Sequence, residues 1–528
     1  MNENTRYVAI VALIVALGGF LMGFDASVIS GVVKFIEPEF DLTKIELGWS
    51  VASLALTATL AMMVSGPLSD RFGRRAVLKW AAVLFAISAV ASAIAPSFLV
   101  LVIARMVGGL GVGAALIIAP MYIAEIAPAR IRGRMVSFNQ LNIVIGISAA
   151  FFSNYLILRL GQSDAAWALA LRLDAWNWRW MLGLETLPAV LYFGALYFVP
   201  ESPRWLVMQG REAEALEVME RVTGAGQARA DLRSIHESAG RDTGRERVPL
   251  TELFGRSMRL VVTIGVVVAV LQQITGINAV FFYAPMIFEQ SGIGTDASFM
   301  QAVLVGLVNL LFTVFAILLI DKLGRKPLLG FGVAGMAVCM FALSWGFHSA
   351  TYTLTEETVD ALPAEIDRPA LGDLVDVTYD SDLAFKAAVT GSVGAQALRD
   401  HESEFVAAAI HINPTVVLLG ILGFVASFAI SIGPVMWVLF SELFPNRIRG
   451  LAISFVGLIN SAVSFLVQLV FPWELANLGS ALTFFLYGAF AVVGLAFILR
   501  LLPETKGHSL EALELLLVRR KPRDSLPG

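Results

Sequence analysis

The sequence predicts an all-α polytopic membrane protein: twelve transmembrane helices in two six-helix halves, with a helical segment between the halves. Three observations predict it. Of the 528 residues 57% are hydrophobic and only 15% charged, and mean hydropathy is +0.76, whereas a soluble chain is about 45–50% apolar and about 25% charged. Twelve stretches are long and apolar enough to cross a bilayer, which takes roughly 20 residues per helix. Three short polar motifs recur six stretches later, so the second half repeats the first.

The spans fall at 7–33, 47–69, 76–95, 98–126, 135–158, 180–200, 259–289, 298–320, 327–348, 412–440, 451–472 and 479–502. The first continues through Gly23-Phe24-Asp25 without a small-x-small cleavage site, so it reads as a span and not a signal peptide. Span 2 ends in Asp70-Arg-Phe-Gly-Arg-Arg75 and span 8 in Asp321-Lys-Leu-Gly-Arg-Lys326. Span 4 runs into Glu125 and, seven residues on, Arg132-Gly133; span 10 runs into Glu442 and Arg449-Gly450. Span 6 ends in Pro200-Glu-Ser and span 12 in Pro503-Glu-Thr. The domains are therefore 1–200, a first bundle; 201–258, a polar helical segment; 259–502, a second bundle; and 503–528, a tail.

Twelve spans place both termini on one side. Of 38 Lys and Arg, 29 fall on that side, eight on the other and Arg105 within a span. The positive-inside rule makes the first side cytoplasmic. The repeat also locates an insertion. Asp70 and Glu125 are 55 residues apart, but Asp321 and Glu442 are 121 apart. The excess lies mainly in 349–411 on the outer side, which carries twelve acids and three bases and reads as a solvated excursion without chemistry. In segment 201–258, Glu217 and Arg221 form an i,i+4 pair, and Leu216, Met219 and Val222 give one apolar face.

Helix C-termini welcome Arg and Lys, so the motifs at the inner ends suit an ion-paired gate. Its candidates are Asp70, Arg74, Arg75, Glu125, Arg132, Glu201 and Arg204 in the first half. Asp321, Arg325, Glu442, Arg449 and Glu504 are those of the second. Glu125 with Arg132, and Glu442 with Arg449, are the expected clamps. The bland alternative is static surface pairing on a positive-inside face.

The motifs Gly73-Arg74-Arg75, Pro200-Glu-Ser-Pro-Arg-Trp205, Gln272-Gln273 through Gly276-Ile-Asn278, Gly433-Pro434-Val-Met-Trp437 and Pro503-Glu-Thr-Lys-Gly507 resemble those of the sugar porter family of the major facilitator superfamily. The likeness covers nearly the whole chain except 349–411 and the last ~15 residues. It implies the major facilitator fold, alternating access, and transport of a monosaccharide such as glucose or xylose. Bacterial proton-coupled symporters are the nearer likeness and animal facilitative transporters the further one.

A charge inside the bilayer is costly and marks function. Asp25, Arg105 and Glu185 are the deep charges of spans 1, 4 and 6. At a rise of about 1.5 Å per residue each lies roughly 8–10 Å from the outer end of its span, so Asp25 can pair with Arg105 while Glu185 stands near. The pair is either a fixed structural bridge or a proton switch; the resemblance implies the switch, because proton-coupled members carry Asp at the position of Asp25. Gln140, Gln272, Gln273, Asn278, Asn309 and Asn460 are carboxamides near mid-membrane. They donate and accept as sugar hydroxyls do, and Trp437 offers an apolar face to a ring. Ile147, Ser461 and the single tyrosine of Phe281-Phe282-Tyr283 depart from relatives and leave the sugar open.

Two transport readings stand, a proton:sugar symporter and a sugar uniporter, with a non-transporting sugar sensor third. Sensors need a long tail, and only 26 residues begin at Pro503, with Leu510–Val518 their one helical stretch. The five histidines are scattered and Cys339 is alone, so no metal site, disulfide, cofactor or enzyme chemistry is expected. The expected partners are a monosaccharide, a proton as coupling ion and the lipid of the cell membrane. Nucleic acid is not among them, and a monomer is the expected unit.

Overall fold

Lipid offers the backbone no hydrogen bonds, so a chain this apolar must satisfy its peptide groups within helices. The computed structural model describes residues 3–128, 130–242, 249–255, 258–445 and 448–506. Span 1 is Glu3–Val28, continued by a 3-10 turn Ile29–Gly31. Span 2 is Lys44–Phe72, opened by a capping box between Thr43 and Glu46. Spans 3 to 5 are Arg74–Ala93, Phe98–Ile126 and Arg132–Gly161. Spans 8 and 9 are Thr295–Leu323 and Arg325–His348. Spans 11 and 12 run as one stretch, Arg449–Leu501, turned at Gly479 with φ 76°.

Three spans are interrupted. Span 6, expected as one helix over 180–200, is instead Asn177–Gly183 and Thr186–Ala195, and Glu185 sits at the break. Span 7 divides into Arg259–Ile274, Ile277–Phe282 and Ala284–Glu289. Its first break is at Gly276, φ 90°, where an added Cβ would lie 2.4 Å from the Tyr487 ring; both the angle and the contact require glycine. Span 10 divides at Ser431, just before Gly433-Pro434, into Pro414–Ile430 and Ile432–Leu443.

The apolar packing is unequal along the bundle axis. The end carrying the Gly-Arg-Arg turns is called the basic face here, and the end carrying 349–411 the insertion face. Toward the basic face the first half has its own core, including Val11, Val15, Phe85, Ile118 and Tyr192. Toward the insertion face, Phe24, Val32, Leu47, Val51 and Phe151 of the first half join the core of the second, with Ile277, Phe288 and Phe471. The halves are therefore packed together at the insertion face and separate cores at the other.

Between the halves, helices Pro203–Met208, Glu212–Thr223 and Ala225–Asp242 lie under the basic face. Trp205 donates its indole N–H to the Asp70 carbonyl at 2.9 Å, and Arg221 pairs with Glu217 at 2.6 Å. Ala215, Met219 and Val222 form the buried face. A 3-10 turn, Leu250–Phe254, packs Phe254 against Phe455 of span 11.

Insertion 349–411 is not a solvated excursion. Strand β1, Thr351–Thr353, pairs antiparallel with β2, Thr378–Tyr379, on one side and β3, Ile410–His411, on the other. Tyr352, Leu354, Leu371, Phe385 and Phe405 build a core of its own. Burial of these few large side chains outweighs the acidic composition, most of which stays on the surface, while Asp382 is buried and Glu402 half-buried. Residues 507–528, with the expected helix at Leu510–Val518, lie outside the described residues.

Candidate functional site

Gly73 and Gly324 end spans 2 and 8 at φ 97° and 96°, a conformation glycine adopts freely. The turn they make throws the next arginine back across the bundle. Arg74 forks onto Glu125 of span 4 at 3.0 and 2.9 Å, and Arg325 forks onto Glu442 of span 10 at 3.2 and 2.8 Å. Ser202 donates to Glu125 at 2.5 Å and Thr505 to Glu442 at 2.6 Å. Glu201 accepts the backbone N–H groups of Arg74 and Arg75 at 3.0 and 3.2 Å, and Glu504 those of Arg325 and Lys326, both at 3.1 Å. Asp70 adds to Arg74 at 2.8 Å, and Arg75 donates to the Val199 carbonyl at 3.0 Å.

The two clamps are thus the same assembly made twice, each inside one half. This corrects the expected pairing. Glu125 is held by Arg74 and not by Arg132, which is exposed; Glu442 is held by Arg325, while Arg449 donates to the Phe444 carbonyl at 3.2 Å. The reason is geometric, since the glycine turn aims Arg74 and Arg325 at those carboxylates bidentately. Arg204 lies in the helix that Ser202 caps, and the side chain of Asp321 lies outside the described ones. Burial pushes the Glu201 carboxyl up despite its backbone N–H donors. At Glu504 burial acts the same way, but its donors prevail and hold the group below the usual range.

Within the first half, Asp25, Arg105 and Glu185 are 1%, 1% and 2% exposed. Arg105 donates to Asp25 Oδ1 at 3.2 Å, to the Asp25 carbonyl at 3.3 Å and to the Ser50 carbonyl at 3.2 Å. It therefore ties spans 1, 2 and 4. Asp25 Oδ2 and Glu185 Oε1 have no hydrogen-bond partner among the described residues. Gly108 leaves room for Asp25, because a Cβ there would stand 2.7 Å from Oδ2. Glu185 feels the charges of both Asp25 and Arg105. A second buried carboxylate near an ion pair offers the guanidinium an alternative partner when the first carboxylate takes up a proton.

The carboxamides of the second half form one connected cluster. Gln273 donates to Gln272 and to Asn460, each at 3.2 Å, and accepts from Asn278 at 2.8 Å. Asn460 donates to Gln272 at 2.8 Å and to the Ala269 carbonyl at 2.9 Å. Gln272 reaches the Ile432 and Gly433 carbonyls exposed by the span 10 break, each at 3.4 Å. Trp437, one turn beyond Gly433, is 46% exposed. Asn309 is buried in span 8 but not bonded to this cluster. Ser464 and Gln468 belong to it, since Asn278 donates to Ser464 at 2.6 Å and Gln468 donates to Ser464 at 2.8 Å. Sequence reasoning missed both, although 460, 464 and 468 share one face of span 11 by their spacing of four.

Gln140 comes from the first half and is exposed. Its helical face also carries Ile147 and Phe151, between the side packed on span 1 and the side packed on span 8, and opposite Phe152 and Leu156. Gln140 thus faces the bundle axis and not lipid. An exposed residue on the axis means that the axis is open at that depth. Every ion pair between described side chains that joins the two halves lies on the insertion face: Lys34 to Glu289 at 2.8 Å, Lys44 to Glu402 at 3.0 Å, Arg159 to Asp296 at 2.8 Å, and Arg399 to Asp41. Glycines close the same seam. A Cβ on Gly48 of span 2 would lie 1.9 Å from the Leu469 carbonyl oxygen of span 11, and one on Gly306 would lie 2.9 Å from Ser148 Cα. Within the second half, Tyr283 of span 7 donates to the Gln468 carbonyl of span 11 at 2.9 Å. The contacts that join the halves are therefore concentrated toward the insertion face, while Gln140, nearer the basic face, stays exposed on the axis.

The chain was compared with known proteins. A family described as Sugar (and other) transporter matches residues 11–361 and 387–517. The D-xylose-proton symporter of Escherichia coli (strain K12) is 36% identical over 546 aligned positions, covering 97% of this chain and 96% of that protein. The arabinose-proton symporter of Bacillus subtilis (strain 168) is 33% identical over 518, covering 98% and 97%. An inward-open structure of the xylose transporter from E. coli superposes with a TM-score of 0.72 at 34% identity, covering 97% of this chain and all of that one.

Proposed function

The chain belongs to the sugar transporter family of the major facilitator superfamily, and from that premise we propose that it imports a monosaccharide together with a proton across the cell membrane. The observation that carries the proton is the Asp25–Arg105 pair at 3.2 Å with Glu185 buried beside it. All three lie in the first half and apart from the carboxamides, so proton and sugar occupy different groups. Protonating Asp25 removes the charge that holds Arg105, which then turns to Glu185, and the span 1–2–4 contact loosens. No resident cofactor is needed, since the proton is the coupling ion.

The sugar is held by Gln272, Gln273, Asn278 and Asn460 from one side and Gln140 from the other, with Trp437 as an apolar wall. Four carboxamides already bonded to one another offer donors and acceptors at fixed positions, which suits a neutral polyol. The basic face is cytoplasmic by its Lys and Arg excess, an even number of spans puts both ends of the chain on that side, and the closed insertion face then makes this an inward-facing state. A single chain contains both halves, so a monomer is the working unit.

The test is counterflow and uptake in proteoliposomes against a panel of pentoses and hexoses, with and without an inward proton gradient. The proposal requires that the gradient concentrate one sugar, and that Asp25→Asn abolish accumulation while sugar binding persists. Uptake that ignores the gradient makes the protein a uniporter. Accumulation by Asp25→Asn removes Asp25 as the coupling group.

A further inference from the structure

The insertion differs from the rest of the chain in one respect: the family match breaks off at 361 and resumes at 387, inside it. Its folded core attaches to the second half. Strand β3 leads directly into span 10. Asp382 accepts the Ser480 N–H at 3.0 Å, at the turn between spans 11 and 12. Lys386 donates to Gln290 just after span 7 at 3.0 Å. Three anchors on three spans make the insertion move with the second half.

Its helical edge, residues 395–409, then reaches over the seam to the first half. Glu402 accepts Lys44, at the start of span 2, through one oxygen at 3.0 Å, while its other oxygen takes Lys386 at 2.7 Å and Gln290 at 3.2 Å. Ser403 accepts Lys34, beyond span 1, at 3.0 Å. Arg399 pairs with Asp41 in the turn before span 2. Glu402 loses water on burial, yet Lys386 and Lys44 more than offset this and hold it well below the usual carboxylate range. Lys44 also meets Glu37 at 2.6 Å. The cavity beneath is lined by Lys34, Glu37, Lys44, Glu289 and Glu402. Since these charges answer one another across the two halves, they suit a fastening and not a ligand.

We propose that insertion 349–411 is a strap fixed to the second half that grips the turn between spans 1 and 2, holds the insertion face closed, and must let go of Lys34, Asp41 and Lys44 before that face opens. Transporters of this fold exchange their two open states by rocking one half against the other. A rigid strap across one seam lowers the population of the state in which that seam is parted, and leaves the sugar and proton groups untouched.

The experiment uses the full chain in nanodiscs, with Cys339→Ala and spin labels at exposed Ala166 of the first half and Asn477 of the second, both on the insertion face. Pulsed dipolar spectroscopy reads the distance between them. The expected result is one dominant short distance in the parent, and a rise of about fivefold in the long-distance population for Glu402→Gln. Asp41→Asn, which lies outside the insertion and keeps the residue's preference for its φ of 51°, shifts the distribution in the same direction by less. Unchanged distributions in both variants overturn the proposal. If Glu402→Gln fails to fold, Asp41→Asn alone decides, because Asp41 lies in an exposed turn of the first half and its described ion pair is the one with Arg399 of the insertion. The readout needs no sugar flux, so its failure is distinct from a failure of the coupling mechanism.

Discussion

Replacing Gly48 by alanine should trap the transporter with its insertion face parted. The added Cβ would lie 1.9 Å from the Leu469 carbonyl oxygen and 2.7 Å from its carbon. Both are backbone atoms of span 11, so no rotamer relieves the contact. Real Cβ atoms stay beyond 3.0 Å, which requires spans 2 and 11 to separate by at least 1.1 Å at this point. The neighbouring Trp49–Phe465 edge contact, at 5.6 Å between centroids, opens with them. Overpacking of this kind costs about 1–3 kcal/mol, a shift of about five- to 140-fold in the ratio of the two open states. The cost falls only on states in which the seam is shut. Equilibrium exchange in proteoliposomes should therefore slow by that factor, and the spin-label distance across the insertion face should lengthen. Gly66→Ala is the control, because nothing lies within 4 Å of its Cβ position on the same helix. Wild-type exchange by Gly48→Ala with unchanged distances would refute the reasoning.

Gln273→Ala removes bonds to Gln272, Asn460 and Asn278 at once and should weaken sugar binding by about 1–3 kcal/mol; unchanged calorimetric affinity would take it out of the site. Glu125→Ala leaves buried Arg74 with Asp70 alone among its carboxylates and should slow transport while affinity moves less than tenfold, about 1.4 kcal/mol, so lost binding with normal turnover would contradict it. The two capping carboxylates should differ in sign. The folded pKa of Glu504 is depressed, so its stabilisation is present above the unfolded value near pH ~4.3 and lost as pH falls through the folded one. That of Glu201 is raised, so its contribution is full below pH ~4.3 and lost as pH rises through the folded value. Thermal midpoints should accordingly show the deficit of Glu504→Gln growing toward neutral pH and that of Glu201→Gln shrinking; parallel profiles would refute the assignment. Gly48→Ala and Asp25→Asn should be non-additive in the distance assay, by at least about 0.5 kcal/mol; strict additivity would separate the two sites.

What the sequence made legible was whatever repeats or must span lipid. The run lengths located the twelve spans, because a bilayer sets a minimum length that composition must meet. Gly73 and Gly324 were visible as motifs, and so were the acids that answer them. Which acid met which arginine was not visible. That depends on the direction in which a turn at φ 97° releases Arg74, and spacing alone favoured Arg132. The break in span 6 was hidden although Gly183 and Pro188 flank Leu184-Glu185, because such residues also occur inside unbroken spans, as Gly66-Pro67 does in span 2. The strap was hidden for another reason: Lys44 and Glu402 are 358 residues apart, and nothing local in either segment names the other. The acidity of 349–411 pointed toward solvent, while Tyr352, Phe385 and Phe405, scattered along it, were what folded it.

The position of Ser50 explains how a proton in one half can govern a seam between two. Both clamps on the basic face close within a half, Arg74 on Glu125 and Arg325 on Glu442, so they make each half stiff and leave the joint between halves to other contacts. On the insertion face that joint rests on Gly48 against Leu469 and on the strap's hold of Lys44. Both grips are on the first turns of span 2. Arg105 reaches the same turns, for its Nε donates to the Ser50 carbonyl at 3.2 Å while its guanidinium holds Asp25 at 3.2 Å. Ser50 is two residues from Gly48 and six from Lys44. A change in the charge of Asp25 therefore acts on Arg105, and through it on the piece of span 2 that meets span 11 and the strap. The proposed sugar groups Gln273, Asn278 and Asn460 stand on spans 7 and 11, the other side of that contact. Proton and sugar need not touch to be coupled: each biases, from its own half, whether the seam at Gly48 is open or shut.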